Sequence, residues 1–202
     1  EIVFFVGKNG VGKTTLMEII VGLNEADSGE IFLDNKLIKI PYSAAVRRKI
    51  AYLPVDDQLI DYLTAGENLV YFAEIYKVAE YQKKIKRLLT EYLFEEHKEK
   101  LVKDYSTGMR RRLSLALMEM TDRPVMLFDE PSIGLDVYNT DFLRRKLNDY
   151  RAAGKTIIVT SHDLLLCQRL ADRIFLFQEN DIVESDLANV DIVERKVLDS
   201  YK

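Results

Sequence analysis

Eight residues near the start of the chain, Gly7-Lys8-Asn9-Gly10-Val11-Gly12-Lys13-Thr14, fit the pattern G-x-x-x-x-G-K-(S/T), and an apolar run over residues 2–6 leads straight into them. Strand, glycine-rich turn and helix in that order mark a nucleoside triphosphate site. The residue types follow from the chemistry. Glycines let backbone N–H groups close around phosphate oxygens, Lys13 reaches the terminal phosphates, and the Thr14 hydroxyl, followed by Thr15, can ligate Mg²⁺. The helix expected over about residues 12–21 aims its positive end at the same anion.

Size and charge narrow the setting. The 202 residues are 48% hydrophobic, enough to fill a real core. A formal charge of -4 from 29 basic and 33 acidic residues, well mixed along the chain, leaves no footprint for nucleic acid. The single cysteine, Cys167, excludes an intramolecular disulfide and reads as a small buried hydrophobe in a reducing, cytoplasmic setting. No uninterrupted apolar stretch approaches the roughly 18 residues that span a bilayer. Any membrane role is therefore expected to come through another polypeptide.

Further along, alternating apolar residues over 30–33 and 36–38, separated by Asp34-Asn35, predict a short hairpin, and residues 50–53 predict a buried strand ended by Pro54. From Thr64 the period changes to helical: Thr64 and Glu67 form a capping-box signal ahead of Leu69, Phe72, Ala73 and Tyr76. A second helix is expected over about 80–94, with a solvated basic face, and a third after Ser106. Strand and helix then alternate again: strand 125–128, helix 138–152, strand 156–160, helix 163–171, strand 173–177. Asn180-Asp181 reads as a hairpin turn, and the last fifteen residues as a short helix.

The strand at 125–128 runs into two adjacent carboxylates, Asp129 and Glu130, stopped by Pro131. Beside a phosphate loop, Asp129 would hold Mg²⁺ opposite Thr14, and Glu130 would polarise the water that attacks the γ-phosphate. Period-two geometry sends the two side chains to opposite sides of the strand end.

Tyr105-Ser106-Thr107-Gly108-Met109 resembles the signature motif of ATP-binding cassette (ABC) proteins, Leu-Ser-Gly-Gly-Gln, matching it at Ser106 and Gly108. Pro131-Ser132-Ile133-Gly134-Leu135-Asp136 resembles the family's D-loop, and Thr160-Ser161-His162-Asp163 its histidine switch. The resemblance covers essentially the whole chain. It implies an α/β fold: a P-loop NTPase core with a mostly parallel sheet, a small antiparallel β part and an inserted helical subdomain. Residues 1–58 and 122–202 would form the core and 59–121 the signature subdomain. It also implies an Mg²⁺-dependent ATPase in which two copies, expected as a homodimer, face head to tail. ATP would lie between one phosphate loop (residues 7–15) and the other subunit's Ser106 and Gly108. Lys13, Glu130 and His162 would be catalytic, with Asp136 acting across the interface.

Residues 108–114 resemble bacterial export-type cassettes for drugs, ions or lipids, so the implied role is the energy-coupling subunit of an exporter. Its membrane-spanning permease would be a separate chain, holding the ATPase to the inner face of the cell membrane. The alternative is a non-transport cassette such as a cluster-assembly ATPase. Two departures stand out. Where the family carries a glutamine after the 50–53 strand, this chain has Val55, which is expected to weaken metal coordination or coupling. The family also has two strands and an adenine-stacking aromatic residue before the position of Glu1, and the 202 residues do not include them.

Overall fold

The computed structural model describes residues 1–178 and 181–185. β1 (Ile2–Val6) is buried at every position, as a strand covered on both faces must be. It feeds the phosphate loop and then α1 (Lys13–Val21). β2 (Ile31–Leu33) and β3 (Lys36–Ile38) form the expected antiparallel hairpin. Its turn residues Asp34 and Asn35 both have positive φ, 53° and 60°, which matches the twist of a two-residue hairpin. A short α2 (Ala44–Arg47), capped by Ser43, precedes β4 (Ile50–Leu53).

Three helices follow. α3 (Ala65–Ile75) opens on the reciprocal Thr64 and Glu67 capping box. α4 (Tyr81–Glu91) is shorter than the helical pattern through residue 94 suggested. Leu93 turns left-handed (φ 63°), and the N–H of Phe94 bonds back to Leu89 O at 2.8 Å, which ends the helix and leaves Tyr92 and Phe94 buried. α5 (Thr107–Thr121) starts from Ser106, whose hydroxyl accepts the N–H of Met109.

Alternation then resumes with β5 (Val125–Asp129), α6 (Val137–Ala152), β6 (Thr156–Ser161), α7 (Leu164–Leu170), β7 (Arg173–Gln178) and β8 (Asp181–Ser185). Asp136 and Asp163 serve as N-caps of α6 and α7, accepting from Asn139 N and Leu166 N. β8 pairs antiparallel with β7; the turn expected at Asn180-Asp181 rests partly, and the terminal helix wholly, on residues outside those described.

Among the described residues the main sheet has six strands in the order β4-β5-β6-β1-β7-β8, parallel except at β8. Period-two alternation divides its residues between two apolar layers. Phe4, Met126, Phe128 and Val159 share one with Leu69, Leu88, Leu113 and Met120, so the three inserted helices and the sheet are packed around one core. Phe5, Leu127 and Phe177 share the other with Met17 and Tyr42. Cys167 lies buried on α7, and burial pushes its thiol up to about 12, which keeps it a protonated hydrophobe near neutrality. Among the described residues, no helix is long and apolar enough to cross a membrane.

Candidate functional site

β1, β5 and β6 are adjacent and parallel, so they deliver their carboxyl ends to one edge of the sheet. The phosphate loop, the paired acids and the histidine all follow those ends, which is where open parallel sheets form their binding crevices. Gly12 is the N-cap of α1 with φ 103°, a left-handed backbone that side chains rarely adopt, and its helix start carries no side-chain cap. Gly12 thus supplies no side chain to compete for the first N–H groups of α1, which suits an anion site. Thr14 and Thr15 lie exposed at this helix start, as do Asn9 and Gly10 on the loop, while Gly7 is buried and Lys8, Val11 and Gly12 are half-buried.

Lys13 is folded over the loop. Its ammonium donates to Gly7 O at 2.7 Å and Lys8 O at 3.1 Å, and it lies 3.7 Å from Glu130 Oε1. At 6% exposure it is a buried charge held by carbonyls and one carboxylate. Glu130 occupies a left-handed backbone (φ 45°), fixed by two hydrogen bonds from its N–H, to Thr160 Oγ1 at 2.8 Å and Thr160 O at 3.2 Å. That turn swings its side chain away from Asp129. Glu130 Oε2 sits 2.9 Å from His162 Nδ1, and Oε1 is buried with no hydrogen-bond partner among the described residues. Its Oε1 therefore has the Lys13 charge beside it but no donor in hydrogen-bond range, and a buried carboxylate oxygen without a hydrogen bond is costly unless a bound group supplies one.

Asp129, fully buried, lies opposite Thr160 in the β5–β6 register, accepts the Thr160 hydroxyl on Oδ1, and takes the Tyr52 hydroxyl on Oδ2 at 3.4 Å. Burial first, then the nearby Asp129 charge, keeps the Tyr52 phenol well above its ordinary range, so it stays a donor. The structure therefore brings Lys13, Asp129, Glu130 and His162 together. It adds Tyr52, and it gives Thr160, which the sequence offered only as the start of the histidine-switch segment, a place beside Asp129: each is an ordinary strand residue until the register places it beside an acid.

Ser106 and Gly108 take no part in these bonds; Ser106 caps its own helix, Gly108 faces Asn139 in the first turn of α6, and Thr107 between them faces Gly134 in the loop after Glu130. A Cβ on Gly108 would stand 2.3 Å from Asn139 Nδ2, and one on Gly134 would stand 3.4 Å from Thr107 Cγ2. Asp136 is engaged locally, its Oδ1 accepting from both Asn139 N at 2.8 Å and Asn139 Nδ2 at 2.9 Å. Val55 is more than a third exposed, and its carbonyl accepts from Arg111 Nη2 at 3.2 Å.

The ABC transporter family profile matches residues 1–133. The chain belongs to the ABC transporter family, and it is one of that family's ATPase domains. It is 31% identical over 187 residues to the ABC transporter ATP-binding protein NatA of Bacillus subtilis (strain 168), covering 91% of this chain and 75% of that protein. To the Nod factor export ATP-binding protein I of Burkholderia lata it is 33% identical over 176 residues, 86% of this chain and 57% of the relative. The human phospholipid-transporting ATPase ABCA3 matches at 34% identity over 83% of this chain, which spans only 10% of that much longer protein. Among solved structures, the dimeric post-hydrolysis state of the ATP-binding cassette MJ0796 bound to ADP and Pi superposes with a TM-score of 0.80 at 27% identity, covering 93% of this chain and 85% of that one. The mostly parallel sheet with a small antiparallel hairpin is thus the ABC ATPase fold.

Proposed function

We propose that this ABC ATPase powers an exporter whose membrane-spanning permease is a separate chain, and that it sits peripherally on the inner face of the membrane through that partner. Support for export comes from the similarity to the Nod factor export protein and from the sequence after Gly108. Residues 59–121 act as a signature lobe and the remainder as the nucleotide-binding core. Two copies work head to tail, a reading supported by the dimeric cassette that this fold resembles.

The observation that carries the catalytic reading is Glu130: a buried carboxylate with Oε2 on His162 and with Oε1 free of hydrogen bonds among the described residues, facing only the Lys13 ammonium at 3.7 Å. In this reading Lys13 leaves the Gly7 and Lys8 carbonyls for the β- and γ-phosphates, and the phosphates lie against the N–H groups of the loop and α1. Glu130 Oε1 accepts a proton from water as the water oxygen bonds to the γ-phosphorus and the bond to the ADP oxygen breaks. His162 holds Glu130 in place and donates to the γ-phosphate; the other protomer's Ser106, Gly108 and Asp136 complete the pocket.

The donor set suits Mg²⁺, a hard cation that takes few protein oxygens: the Asp129 carboxylate at the strand end and the exposed Thr14 hydroxyl would hold it. When bound, it would neutralise phosphate charge. Glu130→Gln is expected to lower kcat by about 100-fold or more, since it removes the proton acceptor, and to trap an ATP-bound dimer visible by size-exclusion chromatography. Wild-type turnover in that variant would remove Glu130 from the catalytic role.

A further inference from the structure

Within one protomer, the strand-end cluster and the signature helix are joined through the segment after β4. Tyr52 donates to Asp129 at one end of that segment. Three residues on, the buried Arg111 of α5 donates to the carbonyls of Val55 at 3.2 Å and Pro54 at 3.5 Å. Val55 itself brings no polar side-chain atom to the span.

Beyond it, Asp57 meets Arg110 fork to fork, with Nε to Oδ2 at 2.8 Å and Nη2 to Oδ1 at 2.7 Å. The remaining Arg110 nitrogen, Nη1, donates to Asp61 Oδ1 at 2.7 Å and to Val102 O at 3.2 Å. All three guanidinium nitrogens are committed, across two chain segments, by a side chain only 26% exposed. Arg110 lies in the first turn of α5, where its N–H bonds Ser106 O at 2.9 Å. A planar fork held at three points fixes direction as well as distance, which an ordinary surface ion pair does not.

We propose that Arg110, gripped by Asp57 and Asp61, is a positioning residue for ATP hydrolysis: it sets the direction of the signature helix relative to the strand-end cluster, so that Ser106 reaches the nucleotide held by the facing protomer. This rests on the composite-site reading above. Because each protomer's phosphate loop and signature serve different nucleotides in that reading, the grip also links the two sites. It touches neither nucleotide, so its effect falls on closure and turnover and leaves the first binding of ATP untouched.

The test measures Arg110→Lys, which keeps the charge but not the fork, and Asp57→Asn, a change in a loop that leaves α5 intact. Each is expected to lower kcat tenfold or more, with the affinity of the monomer for a fluorescent ATP analogue within twofold of wild type. In a Glu130→Gln background each should raise tenfold the ATP concentration needed to form the dimer. The double variant should be no worse than the poorer single, as for two residues in one contact. Variants with wild-type kcat and dimer formation would overturn the proposal, as would a parallel fall of kcat, ATP affinity and melting temperature. A Glu130→Gln parent that forms no ATP-dependent dimer overturns the composite-site reading and this proposal with it; a parent that dimerises, alongside clamp variants that dimerise equally well, removes the clamp alone.

Discussion

Gly108 carries no side chain, and the space a methyl group would fill is taken by the Asn139 amide, whose Cγ would lie 2.6 Å from it. Asn139 has little room to retreat, because its Nδ2 and its backbone N–H both bond Asp136 Oδ1 and its own Oδ1 is already buried with no hydrogen-bond partner among the described residues. Alanine is ordinarily the better helix former by up to about 1 kcal/mol, but overpacking costs about 1–3 kcal/mol, so the clash decides the sign. Gly108→Ala is therefore expected to destabilise the wild-type chain by about 1–3 kcal/mol and to be close to neutral in an Asn139→Ala background. Denaturant unfolding of the four combinations measures this, and equal costs in both backgrounds would sink the explanation. Glu130 shows the same dependence on neighbours. Period-two alternation predicted that the two acids diverge, and they do, but the left-handed turn at Glu130 and the two bonds to Thr160 determine where its carboxylate goes.

At the scale of elements, one carboxylate ties three helices. Glu119 on α5 accepts from Tyr92, just past α4, at 2.7 Å, from Lys146 on α6 at 3.0 Å, and from Arg87 on α4 at 2.8 Å. Lys146 is 5% exposed, lies 4.4 Å over the Tyr92 ring and also pairs with Glu91. Burial pushes the Glu119 carboxyl up, and the hydrogen bonds from Tyr92 and Lys146, with the Lys146 and Arg87 charges, more than offset it, so the net direction is down. A carboxyl lowered on folding stabilises the native state fully above its ordinary value of 4.5, and that contribution is lost as pH falls through the folded value. Glu119→Gln is accordingly expected to cost roughly 1.5–3 kcal/mol at neutral pH, the range for hydrogen bonds to charged groups, with Lys146 still paired to Glu91. The gap from wild type should narrow as the pH is taken below about 4. Urea midpoints of both proteins at the two pH values check it; a gap independent of pH would show that the carboxylate's charge plays no part.

For the whole molecule, the site is built on the edge of a sheet whose core also packs the helices that carry the signature. Nucleotide held at that edge should therefore stabilise the entire fold. With free Mg²⁺-ATP at about 100 times its dissociation constant, linkage gives about 2.7 kcal/mol, or roughly 5–10 °C in melting temperature for a chain of this size. Lys13→Ala should abolish most of that shift, and scanning fluorimetry with and without Mg²⁺-ATP reads it; an equal shift in the variant would remove Lys13 from nucleotide binding.

The sequence by itself determined the phosphate loop, the paired acids, the hairpin turn and the helix caps at Thr64 and Ser106. Each is a local pattern in which neighbouring residues control one another's backbone. Only the tertiary structure decided that Thr160 and Tyr52 hold Asp129, that Arg110 closes on Asp57, and that Asn139 fills the space beside Gly108. These partners come from strands and helices far apart in the chain. Parallel strands are joined by long crossovers whose register no local pattern encodes, so which hydroxyl faces which acid is settled when the apolar faces pack.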